Sequence, residues 1–402
     1  MAEKNGNKRR FSSDATAHFF DVRDPQNKHK TEIVEDFFKA YASILLWRAN
    51  EIDYVDLYAG RGYYDKCAAD PSLAGPIDAT PLRLLRAIIA NERFAKCVRT
   101  WFNEGLPTYV AELRNAIGGL PGIETLTHAP EVTEGEVNDR LATRFHDRKD
   151  VPTLFFFDPY GYVGITRQLL RAALMKSWGC DIILFFNYNR VNMSLGTDLF
   201  DAHLTALFGE DRLSTLRSAL RSITDVDDRE ELVLRTLKAA MKEIGAQFFV
   251  RYRFRHIDGK TSHHLVFVTR KRKGHDTMKE RMAAHSARSP EDVPYFEFVP
   301  GAPRVGQPSL FSNQTLTPPR NFPYSIRQLA NDLYQRYRGR TWTLIPLFDA
   351  HNVGLPYMIW NYRAALWDLR NRKLVTLTRR STGTEPINGQ CPPDTDIVFV
   401  PI

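Results

Sequence analysis

The feature that most restricts the fold of this chain is the regular alternation of short apolar segments with amphipathic segments between residues 54 and 186. The apolar segments predict buried strands, and the segments between them repeat apolar residues every three to four positions, which predicts helices. Apolar strands separated by helices are typical of a parallel sheet covered on both faces. The predicted strands are 54–58, 98–102, 123–126, 153–157 and 181–186, and the predicted helices are 28–48, 81–89, 107–117, 131–145 and 165–176.

The predicted sheet ends differently from the way it begins. After a helical insertion at about 197–220, strands are predicted at 248–254 and 264–269, with a turn at 257–260 between them. A final antiparallel hairpin on a mostly parallel, Rossmann-like α/β sheet is the arrangement of class I methyltransferases. We therefore predict one such domain over residues 15–300, after a disordered basic tail at residues 1–14.

A second domain is predicted at residues 321–402, after a linker at 301–320 that is rich in Pro, Ser, Gly and Asn. Three helices followed by two strands are typical of a winged helix-turn-helix domain, in which the third helix enters the major groove of DNA. The predicted helices are 325–337, 343–351 and 355–371, and the predicted strands are 374–377 and 396–400.

The distribution of charge supports a nucleic-acid partner for this second domain. The whole chain has a formal charge of +8, and the stretch from Arg320 to Arg380 alone contains eleven Lys/Arg against three Asp/Glu. A basic segment on a neutral body is expected of a module that binds phosphates, and a solvated surface is the alternative. The candidate contacts are Arg363, Arg370, Arg372, Lys373, Arg379 and Arg380.

A glycine-containing loop follows the first predicted strand, with the pattern D-x-Y-A-G-x-G. Glycines there let the backbone approach a ligand closely, although an empty structural turn is the alternative. The pattern is close to the loop with which methyltransferases hold S-adenosylmethionine (SAM). Glu104, after the second strand, is placed to accept hydrogen bonds from ribose hydroxyls, or to serve only as an acid at a helix start. The candidate cofactor-binding residues are Asp56, Tyr58, Ala59, Gly60, Gly62 and Glu104.

The segment F-F-F-D-P-Y-G at 155–161 is the second motif with chemical meaning. An aspartate at the carboxyl end of a central strand faces the crevice where ligands bind in such sheets. In methyltransferases that act on amino groups of nucleic-acid bases, D-P-P-Y at this place holds the amino group and stacks the flipped base. Here the second proline is missing, so a plain strand-end turn is the alternative. The candidate catalytic residues are Asp158 and Tyr160.

Several classes of protein are not favoured by the sequence. The four cysteines have no C-x-x-C spacing, and no acidic cluster has the spacing of metal ligands, so no metal site is expected. The amino-terminal residues carry no apolar stretch of the kind found in secretory signals, and no apolar run approaches the length of a membrane helix. We therefore expect a cytoplasmic protein without a membrane partner.

The motifs together resemble the three-Cys-motif partner proteins (TcmP) of bacteria and phages. The resemblance covers about residues 20–285 and depends on five features. These are His29-Lys30, the D-L-Y-A-G-R-G loop, the F-F-D-P-Y-G segment, L-V-F-V-T at 265–269, and Met278-Lys279. It implies a methyltransferase-like sheet and a partner protein that carries the three-cysteine motif.

Two functions are compatible with these observations. The first is a SAM-dependent methyltransferase that acts on nucleic acid, with DNA favoured over RNA, and that is targeted by the carboxyl-terminal domain. The second is a non-catalytic nucleic-acid-binding adaptor with a methyltransferase-like fold that works with a three-Cys-motif partner. The intact glycines favour the enzyme, and the incomplete D-P-P-Y pattern favours the adaptor.

Overall fold

The structure is a computed structural model that describes residues 22–23, 25–67, 76–159, 161–197, 201–256, 258–300, 322–387 and 390–401. The predicted tail at 1–14, the predicted linker at 301–320 and the candidate catalytic residue Tyr160 lie outside the described residues. The chain divides into two compact units, Met1–Ile183 and Leu184–Ile402.

An eight-stranded sheet is the main element of the fold. The strands are β1 (Ile52–Asp56), β2 (Val98–Glu104), β3 (Glu131–Glu134), β4 (Thr153–Phe157), β5 (Asp181–Phe186), β6 (Phe248–Arg255), β7 (Thr261–Thr269) and β8 (Glu297–Phe298). Their order in the sheet is β3-β2-β1-β4-β5-β7-β6-β8. The pairs β3–β2, β2–β1 and β1–β4 are parallel, whereas β6 and β7 are antiparallel. The predicted mostly parallel α/β sheet with a late hairpin is therefore confirmed.

Helices of the first unit cover its central strands, whose residues are buried throughout. All residues of β1 and β4 are buried, and helix α1 (Pro25–Leu45) buries Ile33, Phe37 and Tyr41 along one face. Residues at this spacing lie on one side of a helix. The other helices of the unit are α2 (Thr80–Ile89), α3 (Glu92–Cys97), α4 (Pro107–Gly118), α5 (Leu141–Phe145) and α6 (Arg167–Met175).

The prediction for residues 123–140 is wrong, although the end of the helix predicted at 131–145 is present as α5. Ile123–Thr125 form a short 3-10 turn rather than a strand, and β3 lies within the segment predicted as a helix. The strand β3 is at the edge of the sheet and is only partly buried, so its sequence lacks an apolar run. Val137, Leu141 and Phe145 are spaced four residues apart, which gives the segment the periodicity of a longer helix.

The second unit begins with helices and continues into the hairpin. Its helices before β6 are α7 (Tyr188–Ser194), α8 (Asp201–Phe208), α9 (Glu210–Leu220) and α10 (Val226–Glu243), and α11 (Arg272–Ala284) follows β7. Helices α8 and α9 correspond to the predicted insertion. The hairpin pairs Phe248 with Thr269 and ends at a register shift between Phe254 and Arg255. Within the described ranges, no helix combines the length and apolar character needed to cross a bilayer.

The carboxyl-terminal part of this unit contains three helices and a small sheet. The helices are α12 (Ile326–Tyr337), α13 (Leu344–His351) and α14 (Ile359–Asn371), and the strands are β9 (Thr341–Thr343), β10 (Val375–Arg379) and β11 (Thr395–Phe399). The sheet is antiparallel in the order β9-β11-β10, and the short strand β9 was not predicted. Leu329, Leu366 and Phe399 belong to one buried core. The assignment of this part as a winged helix stays a prediction.

Candidate functional site

The carboxyl ends of three neighbouring parallel strands form the edge at which the predicted residues meet. In the register of the sheet, Asp56 pairs with Phe102 of β2 and with Phe156 of β4. Glu104 ends β2, and Asp158 directly follows β4. In open α/β sheets, ligands bind in the crevice outside this edge. The structure therefore brings the predicted loop, Glu104 and Asp158 to one edge of the first unit.

The two glycines of the loop have different surroundings. Both have positive φ angles, +64° at Gly60 and +89° at Gly62. A Cβ atom added to Gly62 would lie 2.8 Å from Cδ1 of Leu113, whereas one added to Gly60 would have no atom within 4 Å. Gly62 is therefore required by packing, and Gly60 borders open space. A ligand can therefore approach the backbone closely at Gly60 but not at Gly62.

Glu104 holds this loop through its carboxylate. Its Oε2 accepts a hydrogen bond from the backbone N–H of Gly60, and its Oε1 accepts one from the N–H of Leu106, both at 2.9 Å. Leu106 directly precedes α4, so Glu104 is also an acid at a helix start, as the alternative interpretation proposed. Each carboxylate oxygen has a further lone pair, which leaves it able to accept from a ligand hydroxyl.

Asn103 is a positioning residue that sequence reasoning missed. Its side chain is 2% exposed, and its Nδ2 donates to the carbonyl oxygens of Leu57 at 3.3 Å and Gly135 at 2.9 Å. Its Oδ1 accepts from the hydroxyl of Thr133 at 3.1 Å, and its own carbonyl accepts from the N–H of Ala59. These bonds join the ends of β1, β2 and β3. The signal in the sequence was an amide residue between Phe102 and Glu104 in an otherwise buried strand.

Asp56 is the most strongly perturbed acid of the site. It is 1% exposed, and its Oδ1 accepts from the backbone N–H of Tyr58 at 3.1 Å. Burial raises the pKa of Asp56 to about 8, and the charges of Asp158 and Glu104 act in the same direction. The Tyr58 hydroxyl donates to the carbonyl of Val163 at 2.8 Å, and this bond links the loop to the segment after β4.

Asp158 is paired with a buried lysine. The ammonium group of Lys30, on α1, contacts Oδ2 of Asp158. The Lys30 side chain is 4% exposed and that of Asp158 is 22% exposed, so one carboxylate edge is held from inside the protein and the rest reaches solvent. The sequence placed Lys30 in a motif but gave no reason to expect this pair, because the two residues are 128 positions apart.

The basic residues of the carboxyl-terminal part have internal partners. Arg370 is paired with Glu385, Arg372 with Asp368, Arg379 with Asp394 and Arg380 with Asp396. Arg363 is half-buried, and Lys373 is exposed with a φ of +60°.

These partners correct the charge argument. Glu385, Asp394 and Asp396 lie beyond Arg380, so the stretch that ended there omitted them, and residues 321–402 contain ten Lys/Arg and six Asp/Glu. The net charge of the predicted domain is therefore +4. Because the arginines are partly exposed, their ion pairs are weak enough for phosphates to compete with them.

Comparison with known proteins gives a likeness in structure only. No family model matches this chain, and no curated protein matches it. Solved structures with a similar fold include the DszA carbon methyltransferase, with a TM-score of 0.35 and 11% identity over 61% of this chain and 55% of that one. The methyltransferase domain of bacterial CtHen1-C has a TM-score of 0.31 and 10% identity over 59% of this chain and 98% of that one.

A third similar structure is a putative SAM-dependent methyltransferase from Methanococcus maripaludis, with a TM-score of 0.30 and 9% identity over 67% of this chain and 98% of that one. The chain spans about half of the length of DszA. These scores are low, so the α/β fold rests on the strand order and register described above. The resemblance to the three-Cys-motif partner proteins stays a prediction.

Proposed function

We propose that this chain is a SAM-dependent methyltransferase that acts on nucleic acid. The observation that carries the proposal is the grouping of Asp56, Gly60, Glu104 and Asp158 at the carboxyl ends of three adjacent parallel strands. The open side of Gly60 and the buried acid beside it are features that a cofactor site needs and that an empty turn does not.

In this proposal each residue of the loop has a separate role. The backbone at Tyr58, Ala59 and Gly60 lies along the cofactor, Gly62 maintains the packing beneath it, and Glu104 accepts from the ribose hydroxyls. When bound, SAM supplies a methyl group already activated by its sulfonium charge, so the protein has mainly to position the acceptor. Asp56 provides a carboxyl group on the side of the loop that faces the protein interior.

Asp158 is the residue that we assign to the acceptor. A carboxylate at this position accepts a hydrogen bond from the amino group of a base and thereby orients its lone pair toward the methyl group. Lys30 fixes the orientation of that carboxylate through Oδ2. Tyr160 is assigned to stacking of the base on sequence grounds. Residues 321–402 are assigned to DNA, with Arg363, Arg370, Arg372, Lys373, Arg379 and Arg380 as contacts.

A non-catalytic adaptor that works with a three-Cys-motif partner is the second candidate. The observation that favours it is the missing second proline after Asp158, because the D-P-P-Y pattern on which the acceptor chemistry depends is incomplete in this chain.

Calorimetric titration with SAM, followed by transfer of a labelled methyl group to DNA, distinguishes the two candidates. For the enzyme we expect roughly micromolar binding, a loss of affinity of about tenfold in Glu104→Gln, and loss of transfer with retained binding in Asp158→Asn. Glu92→Gln, which changes an exposed acid on α3, is the matched control and is expected to behave as wild type. Absence of binding at millimolar SAM would reject the enzyme and leave the adaptor.

A further inference from the structure

A cleft in the second unit is lined by basic and aromatic residues. It has a volume of about 420 Å³ and lies among strand β6, helix α10, the segment around Tyr295 and residues near Tyr324. Five Lys/Arg and two Glu line it, together with several aromatic residues. Ligand sites of this size bury one small organic group in a concave surface. We call this site the β6 cleft.

One wall of the β6 cleft is basic because of two regular patterns. Along β6, Val250 and Tyr252 are buried, and Arg251 and Arg253 are half-buried on the opposite side of the strand. Along α10, Glu231, Arg235 and Lys238 lie on one stripe, spaced by three and four residues. Both elements direct their charged groups into the same cleft.

The acids of the cleft are already engaged. Glu231 accepts from Arg251 at 2.6 Å, and Glu297 accepts from Arg255 at 3.0 Å. Arg235 is 4.0 Å from Glu231, at the limit of an ion pair, and both Arg235 and Lys238 are exposed. The cleft therefore has an excess of positive charge at its mouth, which favours an anionic group such as a phosphate.

Not every cation in the cleft is available to a ligand. Lys279, on α11, is 3% exposed, and its ammonium group donates to the backbone carbonyls of Asn352 at 3.1 Å and Tyr357 at 2.9 Å. This lysine therefore joins α11 to the segment that precedes α14. Arg251 and Arg253 on β6 are held by Glu231 and Glu230, so the cations most accessible to a ligand are Arg235 and Lys238 on α10.

The opposite wall is aromatic. Tyr295, Phe322 and Tyr324 are half-buried and contact one another edge to face, with ring centroids 4.7 Å and 5.2 Å apart. Half-exposed rings of this kind present faces on which a base stacks, and such stacking stabilises single strands because every base has a π-face. Phe249 on β6 lines the same cleft.

His264 also lines the cleft, and one of its ring nitrogens has no hydrogen-bond partner within the part of the chain that the structure describes. His264 is 1% exposed, and its Nε2 is 3.0 Å from Oε1 of Glu230, while Nδ1 is buried with no hydrogen-bond partner among the described residues. Arg253 also pairs with Glu230, at 2.6 Å. Burial lowers the pKa of His264. Burial alone would raise the pKa of Glu230, but the hydrogen bond from His264 and the charge of Arg253 lower it to about 2. A neutral imidazole that donates from Nε2 leaves Nδ1 as an acceptor, suited to the exocyclic amino group of a base.

We infer that the β6 cleft binds one nucleotide of a single-stranded nucleic acid, with its phosphate on Arg235 and Lys238 and its base between the aromatic wall and His264. This site is separate from the residues assigned to SAM and to the methyl acceptor. The inference therefore goes beyond the proposed function and does not depend on methyl transfer.

The test uses the full chain without SAM and a fluorescently labelled oligo(dA) of twelve nucleotides, measured by anisotropy over a range of salt concentrations. We expect Arg235→Gln/Lys238→Gln to bind at least tenfold more weakly. The slope of log affinity against log salt should fall by about 0.7, since the two side chains hold one phosphate and each phosphate contact in a single strand contributes about 0.7. The matched control is Lys242→Gln, which removes an exposed charge one turn further along α10 and should leave the slope unchanged.

Two further measurements identify the source of the ligand. Tyr324→Leu, which retains an apolar side chain, should weaken oligo(dA) by about tenfold through loss of stacking. Free AMP should compete only at much higher concentration if a strand is the ligand, and AMP affinity equal to that of the oligomer would overturn the single-strand assignment. The site itself would be overturned if Arg235→Gln/Lys238→Gln kept the wild-type affinity and salt slope. It would also be overturned if Lys242→Gln lost as much oligo(dA) affinity as the double variant. Because SAM is absent, neither result bears on the cofactor loop.

Discussion

Substitution of Gly60 by alanine tests the cofactor loop with the smallest possible change. An L-residue in the left-handed region costs about 1–2 kcal/mol, and the added methyl at Gly60 meets no atom within 4 Å. We therefore expect Gly60→Ala to lower the free energy of unfolding by about 1 kcal/mol, from backbone strain alone. Because the methyl group projects into the space assigned to SAM, the affinity for SAM should fall at least tenfold, which corresponds to about 1.4 kcal/mol.

The neighbouring glycine provides the contrast. In Gly62→Ala the same strain is joined by a contact of 2.8 Å to Cδ1 of Leu113, which is fully buried. Overpacking of a core typically costs about 1–3 kcal/mol, so the total loss of stability should be about 2–5 kcal/mol. Urea denaturation measures both losses, and calorimetry measures SAM binding. Gly60 should thus affect binding more than folding, and Gly62 folding more than binding.

Gly339→Ala is the matched control for backbone strain. Gly339 has a φ of +74°, and an added Cβ would have no atom within 4 Å, but it lies in the carboxyl-terminal part of the chain. This variant should lose as much stability as Gly60→Ala and bind SAM as wild type does. Unchanged SAM affinity in Gly60→Ala would refute the assignment of the loop, whatever its effect on stability.

Three further predictions concern charged groups. The pKa of Asp56 is raised to about 8, above that of the unfolded chain, so the stability that protonated Asp56 contributes is full below about pH 4 and is lost as the pH rises through 8. Urea unfolding should therefore give a lower free energy of unfolding at pH 9 than at pH 5. In Asp56→Asn this part of the pH dependence should disappear. Lys30→Met leaves Asp158 without its buried partner and should lower the free energy of unfolding by about 2–4 kcal/mol. The double variant Lys30→Met/Asp158→Asn should recover part of this loss. Losses that simply add in the double variant would mean that the two residues are not coupled. Glu385→Gln frees Arg370 and should strengthen duplex binding, measured by anisotropy, while weaker binding would remove Arg370 from the interface.

The parts of the fold that the sequence predicts well are those buried on both faces. The strands β4 and β5 are continuous apolar runs because helices cover the sheet, and their predicted and observed limits agree. Edge strands carry no such signal, since half of their surface meets solvent. This is why the strands β3 and β9 were not predicted. The segment that forms β3 was interpreted as part of a helix.

The candidate site was predictable only where its residues adjoin strand ends. Glu104 and Asp158 follow predicted strands, and Asp56 lies two residues before the predicted end of another, so all three could be placed near one edge of the sheet. Their partners could not be identified, because Lys30 and Glu385 are brought to Asp158 and Arg370 by tertiary structure rather than by spacing. The charge count over Arg320–Arg380 overestimated the net charge of the predicted domain for the same reason, because it left out acids that pair with these arginines in the folded chain.

The energetic cost of the Lys30–Asp158 pair bears on the choice between enzyme and adaptor. Taking a lysine out of water costs several kcal/mol, and apolar residues of similar volume at such a place are often as stabilising or more so. The pair is therefore poorly explained by stability alone. If the sheet served only as a platform for a partner, an apolar contact between α1 and the end of β4 would suffice. A buried ammonium that orients a partly exposed carboxylate, at the strand end where ligands bind, is better explained by a reaction that needs that carboxylate in one position.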